Sequence, residues 1–356
     1  MKLDYNIMEQ VYNYTQNEPV VHYMGIRNKA EDIKTKADQL KTTADSQSGG
    51  ELTTIKSNDI QSDTAPQTLK GKAGLLKGKA QKLNEAAESL RAEAATGQLN
   101  PLQELAKSLK EAAGNQESGD DHLYGAAGQL ATHSATGLEP LATNVITKFE
   151  AVKQAYGALM TEASKLTGLP QEKQQLVTAV TKEYNDLKNI YDGMLNLTKL
   201  AKAAGELSTQ GGGPLATLRN AATQLEQNVT ALRDNANTGN DYAKAQQVIS
   251  QFETVENAYK ALGDKTSVKD KFEALKSVYD QILKFTKVKH YSEQLHTAAN
   301  GVNTTDVIIN FNAVVDSSNA LGDNKSIVKS EFDNLQKEYS KAIYVYKWYF
   351  ISLPSS

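Results

Sequence analysis

The chain has 356 residues, with 39 Lys and Arg against 42 Asp and Glu, a formal net charge of -3 and no cysteine. This charge balance disfavours nucleic acid as a partner, because binding to a phosphate backbone needs a basic surplus or a basic stripe. The absence of cysteine excludes a disulfide scaffold, a thiolate zinc site and a cysteine nucleophile, and it leaves the cellular compartment open.

The first residues of the chain lack the apolar core of a signal peptide, because acidic residues such as Asp4 and Glu9 interrupt them. We therefore expect either that the chain is not secreted by the classical route or that its true start is missing. The localisation is left unknown, and secretion or surface display is expected only if the ends of the chain are incomplete.

Four segments share a seven-residue pattern in which Leu or Ile alternates with Ala at spacings of four and three residues. The clearest runs from Leu69 to Ala94, and the same register runs over 26–44, 102–113 and 218–236. Small Ala residues let helix backbones approach closely while Leu fills the facing holes, so each segment predicts a helix with a tightly packed partner. Gly and Pro clusters separate these segments, and the period-two pattern of strands is essentially absent.

A second helix pattern is the most specific feature of the sequence, because it recurs three times. The copies begin at Val145, Val248 and Val307, and each reads Val-Ile-x-x-Phe-x-x-Val before an Ala-Leu pair at the same offset. The apolar residues of one copy lie four and three apart, which places them on one helix face.

A turn and a second apolar helix follow each copy, so the repeating unit is a helical hairpin. We align the apolar faces of these second helices as follows: Val177, Val180 and Tyr184 in the first copy, Phe272, Leu275 and Tyr279 in the second, and Phe332, Leu335 and Tyr339 in the third. The hairpins hold many of the chain's sixteen tyrosines, which we interpret as core and rim residues rather than as a ligand site.

A hairpin alone cannot bury both of its apolar faces, so we predict that the copies stack or bundle. The predicted fold is all-α, an elongated array of antiparallel helical hairpins or three-helix bundles with coiled-coil-like Leu/Ala seams. We divide the chain into a divergent N-terminal helical region over 1–137, a first repeat with a following Leu/Ala helix over 138–240, a second repeat over 241–300, and a third over 301–356.

No motif in the sequence carries a specific chemistry. No two of the five histidines have the His-x-x-x-His spacing of a helical metal site. The acidic run with His122 over 120–122 is interpreted as a solvated loop, and Gly211 to Pro214 as a linker rather than a phosphate loop. We predict no catalytic, cofactor-binding or metal-binding residue, no cofactor and no enzymatic activity.

Two segments could contact a membrane. The lysines between Lys70 and Lys79 are interpreted as part of a mixed solvated face, with lipid headgroup binding as the alternative. Ala342 to Leu353 is the most apolar stretch, but it is shorter than the roughly 20 residues that span a bilayer. We expect it to form a last amphipathic helix on the body of the protein, with an interfacial anchor or a truncated span as the alternative.

The Leu/Ala/Lys heptads, the drifting Val-Ile-x-x-Phe-x-x-Val copies and the Ala-Leu-Gly-Asp turns at 261–264 and 320–323 resemble the repeat-bearing multigene families of piroplasm parasites, including the Tpr-related group. This resemblance implies a variable protein that is exposed to the host or secreted into it. The chain differs from such proteins in lacking a clear signal peptide and a complete membrane span. No functional residue is carried over from the resemblance.

The sequence therefore predicts a non-enzymatic helical repeat protein that acts as a structural or protein-interaction module, host-exposed and antigenically variable if the resemblance holds. The expected partner is an unidentified protein, with self-association and membrane contact through the C-terminal aromatic segment as further expectations. The alternative is a lipid- or stress-associated amphipathic protein that folds on membranes. Large aromatic residues at fixed face positions favour a folded core over this alternative.

Overall fold

The computed structural model describes the backbone over residues 2–59, 68–96, 99–116, 119, 121–133, 138–166, 171–210, 213–234, 240–301 and 304–351, and it describes side chains within 27–342 except at 214 and 304. No strand occurs in these ranges, and almost every described residue lies in a helix. The all-α class and the packing of helix against helix are confirmed. The elongated arrangement stays a prediction.

The α-helices are bounded as follows: α1 Lys2–Ser57, α2 Leu69–Thr96, α3 Asn100–Ala113, α4 Leu123–Thr132, α5 Leu138–Lys165, α6 Gln171–Asp192, α7 Asn196–Ser208, α8 Ala216–Asp234, α9 Asp241–Lys260, α10 Lys269–Gln281, α11 Lys284–Asn300, α12 Thr304–Asn319 and α13 Lys329–Ile351. Short 3-10 helices cover Gly213–Leu215 and Gly322–Ile327. The chain forms two compact units, one of residues 53–282 and one that combines 1–52 with 283–356. The boundaries predicted at 137, 240 and 300 follow the sequence repeats and stay a prediction about those repeats.

The first bundle of the 53–282 unit is built on the Leu/Ala seam of α2. Every Leu and Ala of that seam from Leu69 to Ala94 is fully buried, as the heptad spacing predicts. Helix α6 runs antiparallel to α2, since Lys72 Nζ donates to the Gly193 carbonyl oxygen at 2.8 Å and Lys79 Nζ pairs with Asp186 Oδ2 at 2.6 Å. Helix α5 joins the same apolar core.

The fourth position of this bundle is shared by two short helices, α3 and α4, which follow each other along α2. Asn84 Nδ2 donates to the Lys110 carbonyl oxygen of α3 at 2.8 Å, whereas Lys77 Nζ lies 4.7 Å from the Tyr124 ring centroid of α4. Gly114 ends α3 with a φ of 70°, and a Cβ atom there would lie 2.5 Å from the His122 Cβ. Glycine is therefore required at this break, for its backbone conformation and for space.

Helices α7, α8, α9 and α10 form a second antiparallel bundle in the same unit. Gln251 Nε2 of α9 donates to the Ala221 carbonyl oxygen of α8 at 3.1 Å, and Lys271 Nζ of α10 donates to the Glu206 carbonyl oxygen of α7 at 3.4 Å. The predicted Leu/Ala heptad of α8 faces inward, because its members from Leu218 to Leu232 are buried.

The 1–52 and 283–356 unit contains a third bundle, of α1, α11, α12 and α13. Lys289 Nζ of α11 pairs with Asp45 Oδ1 of α1 at 2.7 Å, and Lys29 Nζ of α1 lies 3.9 Å from Glu338 Oε2 of α13. The heptad residues of α1 from Ala30 to Ala44 are buried in this core. Each bundle thus has four helical positions, whereas the sequence predicted hairpins or three-helix bundles. In the third bundle the N-terminal helix α1 occupies the fourth position.

Candidate functional site

Stacked aromatic rings close each of the three hairpins. The pairs and their ring centroid distances are Phe149–Tyr191 at 3.6 Å, Tyr156–Tyr184 at 3.7 Å, Phe252–Tyr279 at 3.6 Å, Tyr259–Phe272 at 3.8 Å and Phe311–Tyr339 at 3.5 Å. Such pairs stabilise a fold by about 0.5–1.5 kcal/mol beyond the area they bury. These tyrosines are core and rim residues, as the sequence analysis interpreted them.

The stacking also corrects one sequence alignment. Tyr191 stacks on Phe149 in the first hairpin, and Tyr279 stacks on Phe252 in the second. Tyr191 is therefore the counterpart of Tyr279, and the apolar face that we aligned over 177–184 is wrong by one heptad. The error arises because a spacing of three and four repeats every seven residues, so the sequence alone fits equally well one heptad away.

A repeated junction precedes α7 and α11. Leu195 and Leu283, with φ of 58° and 55°, occupy the N-cap positions of these helices in the left-handed conformation. Each begins the same Leu-x-x-Thr-Lys sequence, over 195–199 and 283–287. A side chain in this conformation costs free energy, so other contacts must hold the junction in place.

Carboxylates from the end of α1 and the turn after it cap both helices. Asp59 accepts hydrogen bonds from the backbone N–H groups of Leu197 at 3.1 Å and Thr198 at 3.0 Å. Glu51 accepts from the Thr286 N–H at 2.9 Å and from its hydroxyl at 2.8 Å. An acidic group at a helix N-terminus satisfies free N–H donors and interacts favourably with the helix dipole. Burial raises the pKa of Asp59, and the bonds from Thr198 and Leu197 oppose that shift.

Helices α5, α6, α7 and α10 line a partly open cavity of about 400 Å³ within the 53–282 unit. Its lining contains Lys199 of α7, which is only 9% exposed. The Lys199 ammonium nitrogen lies 3.6 Å from the Tyr191 ring centroid, and Nζ donates to the Tyr191 carbonyl oxygen. Burial lowers the pKa of Lys199 to about 7. Sequence reasoning missed this residue, because only the packing of four helices reveals its burial.

His290 of α11 is a second buried titratable group. Its Nε2 lies 2.9 Å from Gln294 Nε2, while its Nδ1 has no hydrogen-bond partner within the described part of the chain. Burial lowers the pKa of His290 from 6.5 to about 4. The folded state therefore binds a proton at His290 less readily than the unfolded chain does. The contribution of neutral His290 to the free energy of unfolding is fully present above pH 6.5 and is lost as the pH falls through about 4.

We expect His290→Gln to reduce the acid sensitivity of the third bundle. Between pH 7 and pH 4.5 the wild-type protein should lose on the order of 2 kcal/mol more than the variant, because only the wild type has an imidazole that binds a proton in the unfolded chain and not in the folded protein. Thermal melts by circular dichroism at constant ionic strength measure this difference. His296→Gln is the matched control, since His296 is about one third exposed. Equal acid sensitivity in both variants and the wild type would contradict the conclusion that burial lowers the pKa of His290.

Within the described residues, the histidines are not grouped into a metal site. His290, Glu293 and His296 lie three residues apart on α11. The sequence analysis did not identify this spacing. Each interval of three residues rotates the side-chain direction by about 60° around the helix axis. Across the described residues, no group of three or more His, Asp or Glu side chains is placed to hold a metal ion. His122 is the N-cap residue of α4, and residues 120, 211 and 212 lie outside the described ranges.

The lysines near the start of α2 contact their own bundle. Lys72 bonds to the Gly193 carbonyl, Lys77 lies over the Tyr124 ring, and Lys79 pairs with Asp186. Three of the lysines that would have to bind lipid headgroups in the alternative interpretation are therefore engaged in contacts within the protein. The side chains of the C-terminal segment after Ala342 lie outside the described residues. In the described part of the chain, no helix has the length and apolarity needed to cross a membrane.

The sequence model of the Seven Residue Repeat family matches residues 147–160 and 250–263. Both matches fall on the first helix of a hairpin, with the first in α5 and the second covering the C-terminal half of α9 and the start of the turn that follows. No curated protein and no solved structure is detectably similar to the chain. The helical bundles and the heptad matches together define a repeat-containing all-helical protein.

Proposed function

We propose that this protein is a non-enzymatic structural or protein-interaction module whose exposed helix faces bind a protein partner. The observation that carries the proposal is a difference in residue identity between the two faces of the first helix of each hairpin. The inward face keeps the same residues in all three copies, whereas the outward face changes. Binding would then be a property of the outward faces.

The inward positions are identical in type and fully or nearly fully buried in each copy. These residues are Val145, Phe149 and Val152 in α5, Val248, Phe252 and Val255 in α9, and Val307, Phe311 and Val314 in α12. Two outward positions are exposed in each copy and differ in residue identity, with a change of chemical type in the third copy. They are occupied by Thr147, Ser250 and Ile309 at the first position, and by Gln154, Asn257 and Asp316 at the second.

This division supports an interaction role, because outward residues can change without disturbing the core that holds each bundle together. It also supports the finer proposal that the protein is a host-exposed, antigenically variable member of the parasite multigene families that its sequence resembles. In such a protein the buried heptads would maintain the fold while the outward residues differ between copies and between relatives.

Partner capture with matched surface variants tests the interaction role. The full chain and a triple variant, Gln154→Ala, Asn257→Ala and Asp316→Ala, would be compared as baits by quantitative mass spectrometry. We expect at least one protein to be enriched by the wild type and lost with the variant, while helicity and melting temperature stay unchanged, because exposed substitutions rarely change stability by more than about 0.5 kcal/mol. Equal enrichment by both baits would contradict a role for these faces.

A vesicle experiment separates this proposal from the lipid-dependent alternative. Far-UV circular dichroism of the chain with and without anionic phospholipid vesicles should give the same helical content, because the chain closes its own apolar cores. Low helicity in buffer that rises sharply with vesicles would contradict the proposal and support a protein that folds on membranes.

A further inference from the structure

We propose that the cavity between α5, α6, α7 and α10 is a covalent binding site for small aldehydes, with the Lys199 amine as the group that bonds to them. This inference is independent of the interaction role above. It is carried by the burial of Lys199 in the wall of a partly open cavity and by the contrast between Lys199 and the other lysines of that cavity.

The cavity has the size and lining of a small-molecule site. Its volume of about 400 Å³ falls in the usual range for ligand pockets. Apolar side chains contribute much of the wall, among them Ile146 and Phe149 from α5, Ala203 from α7, and Ala274 and Val278 from α10. Such a wall suits the hydrocarbon body of an aldehyde.

Three other lysines line the cavity, and each pairs with a carboxylate on its own helix. Lys153 Nζ lies 3.2 Å from Glu150 Oε2, and Lys188 pairs with Asp192. Lys202 pairs in the same way with Glu206. Ion pairing favours the charged ammonium form, which has no lone pair to attack a carbonyl carbon.

Lys199 differs, since within the described residues its Nζ makes no ion pair and bonds instead to the neutral Tyr191 carbonyl. Burial lowers its pKa to about 7, with a smaller contribution in the same direction from Lys188. The carboxylates of Asp192, Asp59 and Glu150 oppose that shift. At neutral pH a far larger share of the Lys199 side chains is therefore neutral amine than for a lysine in water.

The reaction is a condensation that needs no oxidant or reductant. The Nζ lone pair of Lys199 attacks the aldehyde carbon, and the π electrons of the C=O bond move to oxygen. That oxygen takes one proton from the nitrogen to give a carbinolamine. The C–O bond then breaks, the second N–H proton leaves with the oxygen as water, and a C=N bond forms. The products are one imine and one water molecule, and the imine hydrolyses by the reverse path.

Reductive labelling of the folded full chain tests this proposal. Benzaldehyde with sodium cyanoborohydride at pH 7 traps each imine as a stable benzyl-lysine, and peptide mass spectrometry after digestion by a protease that does not cleave at lysine locates it. We expect the initial labelling rate of Lys199 to exceed that of Lys153, Lys188 and Lys202 by at least about tenfold. The labelling rate of Lys199 should fall steeply as the pH is lowered from 7 to 5, because its amine is then protonated.

Lys199→Met should abolish the fast site, and the matched variant Lys202→Met should retain it. Circular dichroism would verify that both variants keep the wild-type melting temperature to within a few degrees. A Lys199 rate equal to or below the rates of the three paired lysines would overturn the proposal. Labelling of Lys199 only in urea would also overturn it, because the cavity of the folded protein would then not admit the aldehyde.

Discussion

Replacing Asp59 with Ala should lower the free energy of unfolding by about 2–4 kcal/mol. The substitution leaves the N–H groups of Leu197 and Thr198 without their acceptor at the start of α7, in a position where Asp59 is only 1% exposed. A buried donor that loses its partner costs about 1–3 kcal/mol, and loss of a helix N-cap typically costs about 1 kcal/mol. Urea unfolding followed by circular dichroism measures the change.

Asp59→Asn separates the acceptor role from the charge. Burial raises the pKa of Asp59, so the folded state disfavours its charged form relative to the unfolded chain. By linkage, the contribution of this carboxyl is greatest below its ordinary pKa of 3.8 and declines as the pH rises through the higher folded value. A neutral Asn keeps one acceptor oxygen without this penalty, but its amide nitrogen faces the second N–H group, so at pH 7 we expect a loss of about 1–2 kcal/mol, smaller than that of the Ala variant. An Ala variant as stable as wild type would exclude Asp59 as the cap of α7.

Phe252→Ala should destabilise the second bundle by about 3–5 kcal/mol, the usual cost of removing a buried phenylalanine. Phe252 is 3% exposed and stacks on Tyr279, so the variant loses the buried ring, leaves a cavity and removes the stack. Urea unfolding gives the free energy, and hydrogen exchange should show that amides of α9 and α10 lose the most protection.

Two further variants test whether this loss comes from the buried ring. Phe252→Leu keeps much of the buried volume, so its loss should be about half that of the Ala variant. Ile309→Ala removes a side chain that is 59% exposed from the corresponding helix of the third hairpin, and it should change stability by less than about 0.5 kcal/mol. A similar loss in Phe252→Ala and Ile309→Ala would show that the inward and outward faces are wrongly assigned.

The inward faces of the helices could be predicted because they are a local property. A Leu or Ala placed every three or four residues falls on one side of a helix whatever the helix packs against, and the predicted seam of α2 is buried throughout. The heptad register of α6 could not be fixed in this way, since each heptad resembles the next. Only the ring that stacks on Phe149 distinguishes Tyr191 from Tyr184.

The remaining features depend on contacts between distant parts of the chain. Asp59 and Leu197 are 138 residues apart, and no local pattern marks the pair. The Leu-x-x-Thr-Lys sequence before Lys199 and Lys287 is visible twice, but its left-handed Leu and its buried Lys follow from tertiary packing. The heptad of α1 predicts that this helix packs against another helix, but it does not identify which one. The position of α1 beside α11 and α13 could therefore not be predicted from the sequence.

The place of α1 in the third bundle affects the order in which the protein can fold during synthesis. Residues 53–282 leave the ribosome as a continuous segment and can complete their unit while translation continues. The buried face of α1 has to wait for residues 283–342, which are made after that unit. During that interval an apolar Ile/Leu/Ala stripe is exposed on the nascent chain, where a chaperone or another nascent copy can bind it. Slower translation of the middle of the chain would therefore lengthen the period in which the newly made protein is prone to aggregate.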